Sequence, residues 1–496
     1  MSAWMSRRPV LPPPQAPSVT TTTWPCPPVK GGTHAAEVIV VPMKAAGETH
    51  FWVPPSVIVT VVPSSHVIVL VPSPLSTIVH DVPLVPLGMI TVVPSSHLEE
   101  PGGKPLRIRL LGEDLVAFRT KDGTPGVLGA YCAHRLAPLF FGRVEADGIR
   151  CPYHGWKYSP GGKCIEMPNV PPAHQFMERV KHPGYPCAEH GGVLWTYLGS
   201  SEKLPPLPEF EFTMVPEDQR HFRLFHHDCN YLQALEGGID ATHVMWLHSP
   251  YNLADAQTAQ AHQPAQQRLA NTSGKRTPLG IEIVDTDGGF MYGARRPMGD
   301  GRSLWRINQF ILPFYTMPPG GDLRGGRMWI PIDDEHCVKW MYGWYPTRSI
   351  MESTTEPMRN YIDDEEYIPT TNEPYGHVIP KARRENDYLI DWEVHKTKRM
   401  GVSGVNLQDK CIQENEGPTP IMDRSLENLC VGDLTIVKAR RMLKEAALAW
   451  RDKGAIPPGV RDAGIYRVRA VSTEVPDNLD WVESVKELVT VTPTAA

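Results

Sequence analysis

Tyr131–Tyr158 reads YCAHRLAPLFFGRVEADGIRCPYHGWKY and contains two cysteine–histidine pairs, Cys132-Ala-His134 and Cys151-Pro-Tyr-His154, separated by sixteen residues. Each pair falls in a turn-prone loop joined to short strand-like runs. Two thiolates and two imidazoles at this spacing suit either a tetrahedral zinc ion or a [2Fe-2S] cluster with cysteines on one iron and histidines on the other. A zinc ribbon is the plainer reading. The first pair, however, is C-x-H, whereas zinc fingers mostly combine C-x2-4-C with a later H-x3-5-H. That difference favours iron–sulfur.

Outward from this stretch the chain divides into three zones. Residues 98–204 carry short β-rich segments such as Leu106–Leu111, Leu115–Arg119, Gly148–Cys151 and Val193–Leu198, with turns at Asp122-Gly123 and Gly161-Gly162. A small all-β domain is expected, followed by a Pro-rich linker at Leu204–Pro208. Residues 1–97 differ: they hold 17 of the 51 prolines, and Asp81 is the only Asp, Glu, Lys or Arg between Phe51 and His97. The heptapeptide TVVPSSH occurs at Thr60–His66 and again at Thr91–His97, too few copies for a solenoid. This zone is expected to be an atypical segment of low order. Residues 205–496 mix strands with helices, one helix marked by Leu232, Leu235 and Ile239. Another is capped by Asp433, striped by Ile436, Ala439, Leu443, Ala446 and Trp450, and ends near Gly454. Runs at Ser303–Pro313, Arg327–Ile330 and Val338–Tyr345 suggest sheet, so an α+β fold results.

Bulk properties narrow the function. A net charge of -6 with no basic stripe argues against a nucleic-acid partner. Nine irregularly spaced cysteines in 496 residues do not form a disulfide framework. Cys164 and Cys187 read as buried small hydrophobes. No apolar run is long enough to span a membrane and none follows Arg7-Arg8 as a signal peptide requires, so a cytoplasmic location is expected.

A second constellation lies in Asn230–His248, NYLQALEGGIDATHVMWLH, where Asp240, His243 and His248 have the spacing D-x2-H-x4-H. Two imidazoles plus one carboxylate on one face of Fe(II) leave positions free for O2 and substrate. His243 and His248 are five residues apart, about 140° on an ideal helix, and cannot both point inward from a straight one. Gly237-Gly238 and Pro250 suggest that the helix is locally broken. Alone, such histidines are more often core or surface residues; a preceding cluster motif shifts the reading towards iron.

The segment Tyr131–Tyr158, with Arg135 and Pro138 after the first pair and Gly155-Trp156 after the second, resembles the Rieske domain of ring-hydroxylating oxygenases. LQALEGGIDATH and LQDKCIQE are most similar to the phthalate dioxygenase branch of large (alpha) terminal oxygenase subunits. Ala137 and Tyr153 stand where respiratory Rieske proteins carry a disulfide, which places this domain with oxygenases and their ferredoxins. The resemblance implies a Rieske [2Fe-2S] cluster on Cys132, His134, Cys151 and His154. It also implies a helix-grip catalytic domain, a curved antiparallel sheet with helices, holding a mononuclear Fe(II). His243 and His248 would hold that iron, with a third ligand at Asp409 in GVNLQDKCIQENEGP (Gly404–Pro418) and Asp423 and Asp433 as alternatives. By the same resemblance Asp240 links a cluster histidine of one subunit to an iron histidine of its neighbour, which requires a closed homo-oligomer, expected as a trimer.

The implied reaction is reductive O2 activation that hydroxylates or dihydroxylates an aromatic substrate. Trp305, Arg306, Phe310 and Phe314 are candidates for the pocket, with Arg295, Arg296 and Arg306 for a substrate carboxylate. No G-x-G-x-x-G motif is present, so electrons must come from a separate NAD(P)H-dependent flavin/iron-sulfur reductase. A pure electron-transfer protein would need no residues beyond the first site. A non-catalytic metal-binding or scaffold protein is a third reading, suggested by the atypical residues 1–97.

Overall fold

Runs of β-branched and aromatic residues broken by turn residues pair into antiparallel sheets. A computed structural model describes residues 88–98, 100–199, 204–248, 280–352, 366–396, 400–457 and 460–492. Two four-stranded sheets build the cysteine–histidine region: Leu106–Leu110, Glu113–Arg119, Pro125–Gly129 and Gly184–Tyr185 in one, and Arg143–Val144, Ile149–Arg150, Lys157–Tyr158 and Cys164–Glu166 in the other. Val116, Phe118, Leu128, Leu139, Ile149 and Tyr158 fill the core beneath both.

A third sheet corrects the expected extent of the low-order segment. Ile90–Pro94 is a fully buried strand that pairs with Val193–Thr196, which pairs in turn with Cys187–His190. The Tyr315 hydroxyl donates to the Met89 carbonyl at 3.2 Å, and the Tyr375 hydroxyl to that of Val92 at 2.8 Å. The second TVVPSSH copy is therefore part of the fold from Thr91 onward, because its valines have a core to enter. The first copy lies outside the described residues.

An eight-stranded sheet dominates the remainder. Its order is Arg220–His227, Cys337–Trp344, Arg324–Pro331, Tyr315–Met317, Arg302–Ile311, Gly289–Pro297 and Gly280–Thr286, with Val471–Pro476 also pairing with Arg302–Ile307. Helix Tyr231–Ile239 lies on this sheet, and helices Val405–Gln413 and Leu434–Lys453 pack against it in turn. The last helix ends where expected, at Gly454 in the left-handed region (φ 61°). Asp433 occupies its N-cap position, but its carboxylate accepts from the Cys430 N–H (2.7 Å) and not from the helix. Leu204–Pro208 has no regular structure yet buries Pro205 and Pro208, so it is packed down and not a free tether. Among the described residues no helix is long and apolar enough to cross a membrane.

Candidate functional site

Both cysteines of the first constellation end up inside: Cys132 and Cys151 are buried, with their thiols in hydrogen-bonding contact. Their loops are built alike. The Cys132 N–H donates to the Ala137 carbonyl (2.9 Å) and its carbonyl accepts from Leu136 (2.9 Å). Cys151 donates to Trp156 (2.8 Å) and accepts from Gly155 (3.1 Å) in the same offsets. Each loop needs a positive φ four residues after its cysteine, 55° at Leu136 and 77° at Gly155. The His134 and His154 rings meet edge-on with centroids 4.4 Å apart, and His134 stacks on Trp156 at 4.6 Å. The Tyr158 hydroxyl sits 3.1 Å from the Cys132 sulfur and from the Ala133 N–H.

His134 Nδ1 is buried without a hydrogen-bond partner among the described residues. Such an orphan is costly unless something else binds it. Two buried thiols in contact and an orphaned imidazole nitrogen on the same pair of loops fit an iron–sulfur cluster.

In the second constellation, helix Tyr231–Ile239 stops at Asp240 (φ -80°, ψ 114°), and a single helical turn, Val244–Leu247, follows between His243 and His248. The break expected from the histidine spacing is there, but not at the glycines. Gly237 and Gly238 are inside the helix, where a Cβ would stand 2.3 Å from Gln413 Nε2 and 2.8 Å from the Trp329 ring. They are small to allow close packing; Pro250 lies outside the described residues.

The turn brings His243, His248 and Asp409 together, their ligand atoms all within 4.8 Å of one another. His248 Nε2 is 2.9 Å and His243 Nε2 3.5 Å from Asp409 Oδ1. Each ring's other nitrogen is occupied. His243 Nδ1 meets Asp240 Oδ2 at 3.2 Å, and His248 Nδ1 meets Gln408 Oε1 at 2.8 Å. Acceptors at Nδ1 fix the tautomer that leaves Nε2 for a metal. Burial disfavours charge on His243, but its hydrogen bonds to Asp240 and Asp409 outweigh this and push it up to about 10. Burial also opposes charge on Asp409, yet the two histidines and Lys339 hold its carboxyl well below the usual range. A strong cationic preference at this point is what a two-histidine, one-carboxylate donor set supplies. His243, His248 and Asp409 keep side-chain exposures of 24%, 9% and 17%.

The alternatives to Asp409 are placed elsewhere: Asp423 is exposed and caps Arg424–Leu426, and Asp433 is held by Cys430. Gln408 was not singled out by the sequence, because its role depends on a contact 160 positions away. Its amide is oriented by donation to the Val402 carbonyl (2.8 Å). Asp240 is gripped by the Thr242 N–H and hydroxyl at 2.6 and 2.7 Å.

Strand alternation sorts the pocket candidates. Along Arg302–Ile311, Trp305 and Ile307 face a separate core and Trp305 stacks on Trp481 at 4.8 Å, away from Phe310. Arg295 shares that side and pairs with Asp477 (2.9 Å). Phe314 is buried in the main core. Arg306, on the Phe310 face, has Tyr292 and Arg296 as charged or polar neighbours, and Tyr292 is within electrostatic reach of Asp240. No carboxylate among the described residues pairs with Arg306.

Comparison with known proteins agrees with both halves. Residues 88–182 match the Rieske [2Fe-2S] domain family and residues 196–494 the family described as LigXa C-terminal domain like. The oxygenase subunit of 3-chlorobenzoate-3,4-dioxygenase from Comamonas testosteroni is 36% identical over 403 residues, covering 79% of this chain and 91% of that one. The chain is a Rieske oxygenase. This Rieske oxygenase is also 32% identical to the phthalate 4,5-dioxygenase oxygenase subunit of Pseudomonas putida, covering 78% and 86% of the two chains. Among solved structures, NdmA of Pseudomonas putida CBB5 shares the fold with a TM-score of 0.51 at 18% identity, covering 76% of this chain and 94% of that one. Rieske oxygenases carry a [2Fe-2S] cluster and a mononuclear iron, so the zinc ribbon, the simple electron carrier and the scaffold are set aside.

Proposed function

We propose that this Rieske oxygenase hydroxylates or dihydroxylates an aromatic carboxylate, taking electrons from a separate NAD(P)H-dependent flavin/iron-sulfur reductase. The observation carrying the reading is the convergence of His243, His248 and Asp409 with both histidine Nδ1 atoms occupied. Cys132, His134, Cys151 and His154 would hold the cluster, and the triad the iron. Loaded, the pair of centres would supply reductive activation of O2. The chain's own residues do the rest. Asp240 and Gln408 aim the two imidazoles. Arg306 receives the substrate carboxylate, its charge destabilised by burial and by Arg296 until an anion arrives.

Three of the relatives support the substrate class, being named for 3-chlorobenzoate, phthalate and phenoxybenzoate. Leu136 and Tyr153, 72% and 59% exposed within the cluster loops, support a protein docking there. We assign that face to a neighbouring copy in a homotrimer, with Asp240 completing the electron route between subunits. Oxygen uptake with NADH, a generic reductase and a panel of benzoates tests the reading. Uptake coupled to a hydroxylated benzoate is expected, with KM raised at least tenfold by Arg306→Met and kcat much less changed. Uptake stimulated equally by benzamides would overturn the carboxylate assignment.

A further inference from the structure

A third group of metal-type ligands lies outside both sites: His227, Cys229 and Cys337, with ligand atoms all within 4.8 Å of one another. His227 ends strand Arg220–His227 and is the register partner of Cys337, the first residue of the neighbouring strand. Cys229 follows two residues later, just before Asn230 caps the helix that leads to Asp240. All three are sealed from solvent, at 1%, 0% and 0% exposure. Cys229 and Cys337 are free thiols in hydrogen-bonding contact. His227 Nδ1 is buried and has no hydrogen-bond partner among the described residues.

An ordinary core has little reason to bury an imidazole nitrogen unpaired. We propose that His227, Cys229 and Cys337 form a second, structural metal site for a thiophilic d10 cation, Zn(II) or Cu(I). Two thiols and an imidazole select such ions over harder ones. Metal–sulfur bonds of about 2.3 Å and metal–nitrogen bonds of about 2.0–2.1 Å put ligand atoms roughly 3.5–4 Å apart, a contraction of at most about 1.3 Å. Binding replaces two thiol protons, which leave as two H+, and no electron is transferred. Zn(II) with two thiolates and neutral His227 is uncharged; Cu(I) leaves one negative charge, which faces Lys339 and the buried Lys410–Glu414 ion pair. The ion would staple two strand ends to the start of the helix that positions Asp240.

Metal analysis of the holoenzyme tests this without any assay of turnover. With cluster sulfide confirmed at two per chain, one Zn or Cu per chain is expected beyond the three irons, either as isolated or after anaerobic exposure to ZnCl2 or Cu(I) in separate arms. X-ray absorption at that metal's edge should show two sulfurs and one nitrogen. Cys229→Ala and Cys337→Ala should each lose this equivalent while keeping cluster absorbance. If those variants do not fold, the absorption spectrum of the wild type decides. No uptake in either arm, an oxygen/nitrogen-only shell (as zinc at the His243 triad would give), or a Cys229–Cys337 disulfide in unreduced protein each overturns the site.

Discussion

Gln408 accepts a hydrogen bond from His248 Nδ1 at 2.8 Å, one residue before the carboxylate that faces the same ring's Nε2. One helical turn thus touches both nitrogens of one imidazole. Outer partners of metal-bound histidines are worth about 10–100-fold in metal affinity. Gln408→Leu is expected to weaken mononuclear iron retention by that factor, read by iron analysis after dialysis against a chelator, while the cluster spectrum is unchanged. Gln408→Glu, which keeps an acceptor, should recover most of it.

The carboxylate assignment separates by substitution. Asp409→Ala, His243→Ala and His248→Ala should each lose the mononuclear iron and turnover with cluster absorbance intact. Asp423→Ala should keep at least half of wild-type activity, since its carboxylate only caps an exposed turn. Full activity in Asp409→Ala would move the third ligand elsewhere.

For the cluster, reduced protein is expected to give a Rieske-type EPR signal with a potential between roughly -150 and +300 mV. Cys132→Ser and His154→Ala should abolish it. A signal surviving in Cys132→Ser would mean that the two loops do not share one cluster.

Asp240 already holds His243 within its own subunit. Asp240→Asn preserves size and an acceptor but removes the charge. Both metals should load and the reductase should reduce the cluster at a near-normal rate, whereas stopped-flow reoxidation with substrate and O2 slows by orders of magnitude. A merely structural aspartate would lower yield or melting temperature and leave reoxidation fast.

Glu416 is pushed up to about 7 by burial and by the nearby Glu236 carboxylate. Its folded pKa is raised, so its stabilising contribution is complete below about pH 4.5 and is lost as pH rises through 7. Glu416→Gln should melt a few degrees above wild type at pH 8 and at nearly the same temperature at pH 5. Equal melting at both values would mean that the carboxyl is not perturbed.

The two cysteine–histidine pairs and the D-x2-H-x4-H spacing were legible in the chain because candidate metal ligands are chemically distinctive residues at short, fixed intervals; Asp409, far along the chain from His248, was reached only through the family resemblance. The long helix ending at Gly454 was equally legible, since a 3.6-residue stripe and its stop signal are local. Other features depended on what packs against what. Gly237 and Gly238 look like helix breakers until Gln413 and Trp329 are found against them. Trp305 looks like a pocket residue until the register of Arg302–Ile311 turns it towards Trp481. Thr91–His97 has the same letters as Thr60–His66, yet Val92 and Val93 are buried because Val193–Thr196 offers them an edge to pair with. Gln408 at His248, and Cys337 beside His227 and Cys229, join residues more than a hundred positions apart. Local spacing announces which chemistry is available; only the tertiary fold brings distant side chains within the few ångströms over which hydrogen bonds and coordination act.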